Sequence, residues 1–128
     1  MSAESAKRRG QILTIDDEPM IARAIQRVVG KEHAVVAVGS GGKALAMIRE
    51  GARFDVIVCD LMMPEMTGMD VYDELSRLAP EQAASMIFLT GGAFTVGAQT
   101  FLEKVTNPRL EKPFEPAELL ALINDGLH

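Results

Sequence analysis

Four short stretches of this sequence carry side chains that could do chemistry together: Asp16-Asp17-Glu18, Asp60, Thr90-Gly91-Gly92 and Lys112-Pro113. Three carboxylates held close to one another repel and call for a cation. Mg²⁺ suits them, because it prefers octahedral oxygen ligands, keeps several waters and commonly pairs with phosphate oxygens. Lys112 can neutralise one further oxygen as a point charge. The Thr90 hydroxyl can donate a hydrogen bond, and the Gly91 backbone can approach a ligand closely for want of a side chain. A divalent cation, a lysine, a hydroxyl and a spare carboxylate suit phosphoryl transfer, which is mostly positioning and charge stabilisation. A carboxylate can itself be the nucleophile and form an acyl phosphate. Each piece alone is weak: an Asp after a strand is usually a cap or a turn former. Their weight depends on a fold that brings them to one place.

The hydrophobic pattern supplies that fold. Ile12-Leu13-Thr14-Ile15 reads as a strand buried on both faces. Met20, Ile21, Ala24, Ile25, Val28 and Val29 then recur at helical spacing, with Pro19 in the first turn and Gly30 at the end. Ala34–Val38 is a second apolar strand, and Ser40 can cap a helix carrying Ala44, Leu45, Met47 and Ile48 that stops at Gly51. Phe54–Cys59 is a third strand; Thr67 can cap a helix with Met69, Tyr72, Leu75 and Leu78, ended by Pro80. Met86–Leu89 is a fourth strand, Thr95–Lys104 a weak helix anchored by Phe101 and Leu102, Arg109–Glu111 a short fifth strand, and Pro116 opens a last helix closing near Gly126. Serial strands joined by helices make a parallel sheet with right-handed crossovers, hence an α/β helix–sheet–helix sandwich. Such sheets bind ligands beyond the carboxyl ends of their strands. Asp16 and Asp17 follow the first strand, Asp60 the third, Thr90 the fourth and Lys112 the fifth, so all converge on one edge.

Asp16-Asp17, the run Asp60-Leu-Met-Met-Pro-Glu-Met-Thr-Gly68, Thr90-Gly91 and Lys112-Pro113-Phe114 together resemble the receiver domain of two-component response regulators. The Asp-x-x-x-Pro-x-x-x-Gly pattern with a downstream Lys-Pro is the specific part. The resemblance implies a flavodoxin-like, doubly wound five-stranded sheet of order 2-1-3-4-5 over residues 11–126, after a loose lead-in at 1–10. It implies that Asp60 takes a phosphoryl group from a sensor histidine kinase or a histidine phosphotransfer domain. Mg²⁺ or Mn²⁺ would be held by Asp16, Asp17, Asp60 and the Met62 backbone carbonyl. Thr90 would be the switch hydroxyl, Gly91 and Lys112 would face the phosphate, and the bond to Pro113 would be cis, a proline trait. As a signalling acceptor rather than an enzyme, the domain would assist its own phosphorylation and dephosphorylation and change conformation on phosphorylation. The stretch Phe101–Phe114 further resembles receivers at the C-terminus of hybrid histidine kinases.

One position departs from the family pattern. Where receivers commonly carry Tyr or Phe, three residues before the lysine, this sequence has Arg109. Phe94 and Phe101 read as core or helix anchors instead. Gly39-Ser40-Gly41-Gly42-Lys43 is not a phosphate loop, because Ala37 and Ala44 stand where that motif needs Gly and Ser or Thr. The rival chemistry is a Mg²⁺-dependent hydrolase with an aspartyl nucleophile, which would need Asp-x-Asp rather than the adjacent pair. A degenerate receiver serving only as an interaction module would lack acidic positions that are present here.

Composition sets the outer bounds. The 128 residues carry 13 basic and 18 acidic side chains, a formal charge of −5, with 48% hydrophobic residues. At about 150 residues per domain this is one domain, leaving no room for an output domain. The acidic balance speaks against direct nucleic-acid binding. No apolar run nears the ~20 residues of a membrane span, so no membrane insertion is expected and the location is cytoplasmic. The single cysteine, Cys59, excludes an intrachain disulfide; it precedes Asp60 on a buried strand and should point into the sheet packing. His33 and His128 read as solvated. Met62, Met63, Met66 and Met69 read as gap-fillers and loop surface.

Overall fold

The structure, a computed structural model, describes residues 9–91 and 95–127. Gly92, Phe94, His128 and residues 1–8 of the lead-in lie outside the described residues. Five parallel strands, β1 (Gln11–Ile15), β2 (Ala34–Val38), β3 (Val56–Asp60), β4 (Met86–Thr90) and β5 (Arg109–Glu111), form one sheet of order β2-β1-β3-β4-β5. The helices are α1 (Pro19–Val29), α2 (Gly41–Arg49), α3 (Gly68–Leu78), α4 (Pro80–Ala84), α5 (Val96–Lys104) and α6 (Pro116–Asp125).

Strand alternation divides the core in two. Leu13, Ile15, Ile57, Cys59, Met86 and Phe88 face α2, α3, α4 and α5, meeting Ala44, Leu45, Val71, Leu75, Ala83, Ala98 and Leu102. Ile12, Val56, Val58, Ile87 and Leu89 face α1 and α6, meeting Ile25, Val29, Leu119 and Ile123. Successive strand residues point to opposite faces, so one continuous apolar run serves both layers. The fully buried Cys59 packs with the first group. Phe101 is the anchor its spacing suggests: its ring meets those of Tyr72 and Phe88 edge-on, centroids 5.3 Å apart in each pair.

Helix starts follow their local chemistry. Ser40 Oγ accepts from the Lys43 amide. Thr67 and Asp70 form a reciprocal capping box at the start of α3, each satisfying an amide that the helix leaves unpaired.

Three expectations need correction. Pro80 does not only end a helix; it opens the extra short helix α4, because proline's fixed φ and missing N–H suit a first turn. Gly10, assigned to the loose lead-in, is buried, and its carbonyl accepts from the Ala34 amide. His33 is 1% exposed rather than solvated: its Nδ1 accepts from the Gly10 amide at 2.9 Å and its Nε2 donates to Asn124 Oδ1 at 2.8 Å.

Candidate functional site

The order β2-β1-β3 makes the chain turn back across β1, and the crevice this opens lies beyond the carboxyl ends of β1 and β3. Asp16 follows β1 directly, and its amide continues the pairing to Val38 O at 3.2 Å. Asp60 is the last residue of β3, in register with Leu89. The chain then doubles back so tightly that the Gly68 amide donates to Leu61 O at 2.9 Å. A Cβ on Gly68 would come within 2.7 Å of Asp60 O and 2.9 Å of Leu61 Cα. The glycine eight residues after Asp60 is therefore required by close approach of α3 to the strand end.

Asp16, Asp17 and Asp60 each offer a carboxylate oxygen to a cluster whose atoms lie within 4.8 Å of one another. Asp16 and Asp60 are buried and Asp17 is exposed. Lys112, next after β5, reaches the cluster with Nζ 3.2 Å from Asp16 Oδ2 and 3.5 Å from Asp60 Oδ2. It also meets Glu18 Oε1 at 2.9 Å, a partner that sequence reasoning left out of the site. The only sequence signal for Glu18 was its adjacency to the aspartate pair. The Lys112–Pro113 peptide bond is cis. The Lys112 amide donates to Thr90 O at 2.8 Å, so the lysine and the buried threonine are tied through the main chain.

A cleft of about 360 Å³ is lined by Asp17, Glu18, Asp60, Met62, Gly91 and Lys112. A Cβ on Gly91 would meet no atom within 4 Å: the glycine is not demanded by packing but leaves the cleft wall open. Asp60 Oδ1 accepts from the Met62 amide at 3.4 Å, which turns the Met62 backbone towards the cluster.

The electrostatics are those of crowded, partly desolvated acids. Burial, reinforced by the neighbouring Asp16 charge, pushes Asp60 from its ordinary value of 3.8 up to about 6, against the lowering effect of Lys112. Burial also raises Asp16, opposed by the Glu18 amide and by Lys112. For Lys112, burial lowers the value, but hydrogen bonds to Glu18 and Asp16 and the charges of Asp60 and Asp16 outweigh it, leaving the ammonium firmly charged. Burial, then the Asp60 and Asp16 charges, push the Cys59 thiol up, which makes it unreactive.

Arg109 stands on β5 with an exposed side chain whose guanidinium donates to Val105 O at 3.2 Å and Asn107 O at 3.4 Å. It thereby braces the turn into β5, a different task from that of an aromatic ring.

The sequence pattern of the response regulator receiver domain matches residues 12–124. The chain belongs to that family. The DNA-binding response regulator MtrA of Mycolicibacterium smegmatis is 34% identical over 120 residues, covering 93% of this chain and 51% of MtrA. This receiver thus spans about half the length of that curated relative. Among solved structures, a response regulator receiver domain protein from Clostridium thermocellum matches with a TM-score of 0.79 at 28% identity, covering 91% of this chain and 93% of the other. A structure described as adenylate cyclase from Rhodopirellula baltica matches with a TM-score of 0.81 at 28% identity, covering 94% and 88%. The receiver is a signalling domain of two-component systems, and its acidic cluster is compatible with a divalent metal. Among the described residues, no helix is long and apolar enough to cross a membrane.

Proposed function

We propose that this receiver accepts a phosphoryl group on an Asp60 carboxylate oxygen from the phosphohistidine of a sensor histidine kinase or phosphotransfer domain. The observation that carries the reading is the Asp60 carboxylate at the end of β3, clustered with Asp16 and Asp17 and 3.5 Å from the Lys112 ammonium. The Asp60 oxygen attacks phosphorus, a P–O bond forms, the P–N bond breaks and the leaving imidazole keeps its electron pair. Lys112 offsets charge on the phosphoryl oxygens, while the Thr90 hydroxyl and the Gly91 amide donate to them. Loss of the group is hydrolysis: water attacks phosphorus, the bond to Asp60 breaks, and orthophosphate leaves.

The donor set fits a hard cation. Asp16, Asp60 and Glu18 surround the Lys112 ammonium and Asp17 joins the aspartate cluster, and oxygen-only donors favour Mg²⁺ or Mn²⁺. Asp16, Asp17, Asp60 and the Met62 carbonyl would hold it. When bound, the cation supplies charge neutralisation for the acceptor carboxylate and the incoming phosphoryl oxygens. Added charge on Asp60 then biases the Thr90 end of β4 between two arrangements. The cytoplasm, where histidine kinases present their phosphohistidine, is the compartment this reading implies. The role needs no nucleic-acid contact from residues 11–126.

Mass spectrometry after incubation with a small acyl phosphate and Mg²⁺ tests the assignment. The wild-type chain should gain one phosphate-sized increment, and Asp60→Asn should gain none. An increment that survives in Asp60→Asn overturns it. Lys112→Ala should keep the fold and still take phosphate slowly, but lose the conformational response.

A further inference from the structure

Lys112 is held by three carboxylates, and its shortest contact is to the one outside the aspartate cluster. Its ammonium lies 2.9 Å from Glu18 Oε1, 3.2 Å from Asp16 Oδ2 and 3.5 Å from Asp60 Oδ2. Glu18 occupies the N-cap of α1, where a side-chain oxygen ordinarily accepts from the helix's own first amides. Its side chain makes no such bond. The main chain of Glu18 is nonetheless fixed on both sides: its amide donates to Asp16 Oδ1 at 2.9 Å, and its carbonyl accepts from the amides of Ile21 and Ala22. A rigid backbone thus delivers a carboxylate that has no capping duty to the lysine.

The two partners differ in solvation. The Glu18 side chain is 59% exposed and that of Lys112 is 18% exposed. The glutamate therefore sits at the mouth of the cleft, and Asp60, whose side chain is 7% exposed, sits at its floor. We infer that Glu18 is a positioning residue that latches the Lys112 ammonium at the cleft mouth until a phosphoryl group on Asp60 outcompetes it. The inference rests on the phosphoacceptor reading above. A phosphoryl group carries close to two negative charges and three acceptor oxygens, more than one glutamate offers. The Lys112 main chain stays pinned to Thr90 O, so the exchange needs only rotation of the flexible lysine stem. Each phosphorylation event must break the contact to Glu18, and that contact sets how strongly the phosphorylated state is favoured.

Two measurements on the full chain test this. The first is the ¹⁵N spectrum of the lysine ammonium groups without metal or phosphate, with the Lys112 signal assigned by its loss in Lys112→Met. Glu18→Gln should shift that signal and speed its proton exchange; an unchanged signal overturns the latch. The second is titration of the Mg²⁺-saturated chain with beryllium fluoride, a phosphoryl mimic. Glu18→Gln should tighten binding roughly two- to fivefold, the range for a half-exposed ion pair, and this gain should vanish in the Lys112→Met background. Equal tightening in both backgrounds would mean that Glu18 acts by repelling the anion directly, and the latch is overturned. Absence of binding by both wild type and Glu18→Gln overturns the phosphoacceptor reading and with it the competition. The ammonium spectrum separates that failure from failure of the Glu18–Lys112 contact.

Discussion

The two ends of the sheet bury polar groups in opposite ways. At the amino ends of the strands the groups are neutral and paired. His33 links Gly10 to Asn124. Gln82 accepts from the Phe54 amide and donates to its carbonyl, both at 2.9 Å. Asn107 donates to Ala83 O and Met86 O, each at 3.0 Å. At the carboxyl ends, three carboxylates share the Lys112 ammonium and a fourth, Asp17, lies in the same aspartate cluster. A satisfied neutral network stabilises and fixes one arrangement. A cluster of like charges costs stability and holds chemical potential for a cation and a phosphoryl group. One end of the fold is built to stay as it is, and the other to change.

The largest effects should come from breaking the neutral end. Asn107→Ala strips the partner from two buried carbonyls and should cost about 2–4 kcal/mol in urea unfolding. His33→Leu leaves the Gly10 amide and the Asn124 side chain without their partner and should cost about 1–3 kcal/mol. Neither substitution should alter phosphate uptake by the folded chain. A near-neutral result at both sites would mean that the amino-end network is ornamental, and the contrast between the ends would fail.

A smaller and opposite effect is expected at the charged end. Asp60 has a folded value of about 6 against an ordinary 3.8, so between those values the folded chain binds more protons than the unfolded one. Its contribution is then a loss of stability that is absent below the unfolded value, grows as pH rises through the window and is complete above about 6. With divalent cations chelated, Asp60→Asn should therefore be the more stable chain above this window, by on the order of 1–2 kcal/mol after solvent screening, and the gain should fade towards low pH. The same ionisation makes the nucleophile, so metal-free reactivity and stability should move in opposite directions across the window. Saturating Mg²⁺ should erase the stability gain of Asp60→Asn. A wild-type chain that is as stable as Asp60→Asn throughout would remove the electrostatic cost assigned to this end.

The charged end was far more legible in the sequence than the neutral one. Asp16, Asp17, Asp60, Thr90 and Lys112 each follow an apolar strand, and parallel topology alone sends all strand ends of one polarity to one edge. The partners of His33, Gln82 and Asn107 lie 21 to 91 residues away in the chain. Nothing in local spacing marks a histidine or an amide whose partner is supplied by tertiary closure. Glu18 was missed for a different reason: a half-exposed glutamate in a turn is ordinary, and only the path of β5 brings Lys112 against it. The short helix α4 was hidden because periodicity does not report a single helical turn.

The smallest expected effect lies between the two ends, at Arg109 on β5. Its guanidinium reaches back to Val105 O and Asn107 O, which places its bonds with the neutral network rather than with Thr90 or Lys112. These are exposed or half-exposed bonds near the upper length limit, and each contributes little once water competes. Arg109→Ala should therefore lower stability by no more than about 1 kcal/mol and leave the rate of phosphate uptake unchanged. Combined with Asn107→Ala, its cost should shrink, because the turn it braces has already lost its buried anchor. If Arg109→Ala instead changed phosphate uptake severalfold at unaltered stability, β5 would be transmitting between the ends, and the division of the sheet into a fixed end and a responsive end would have to give way to a coupled one.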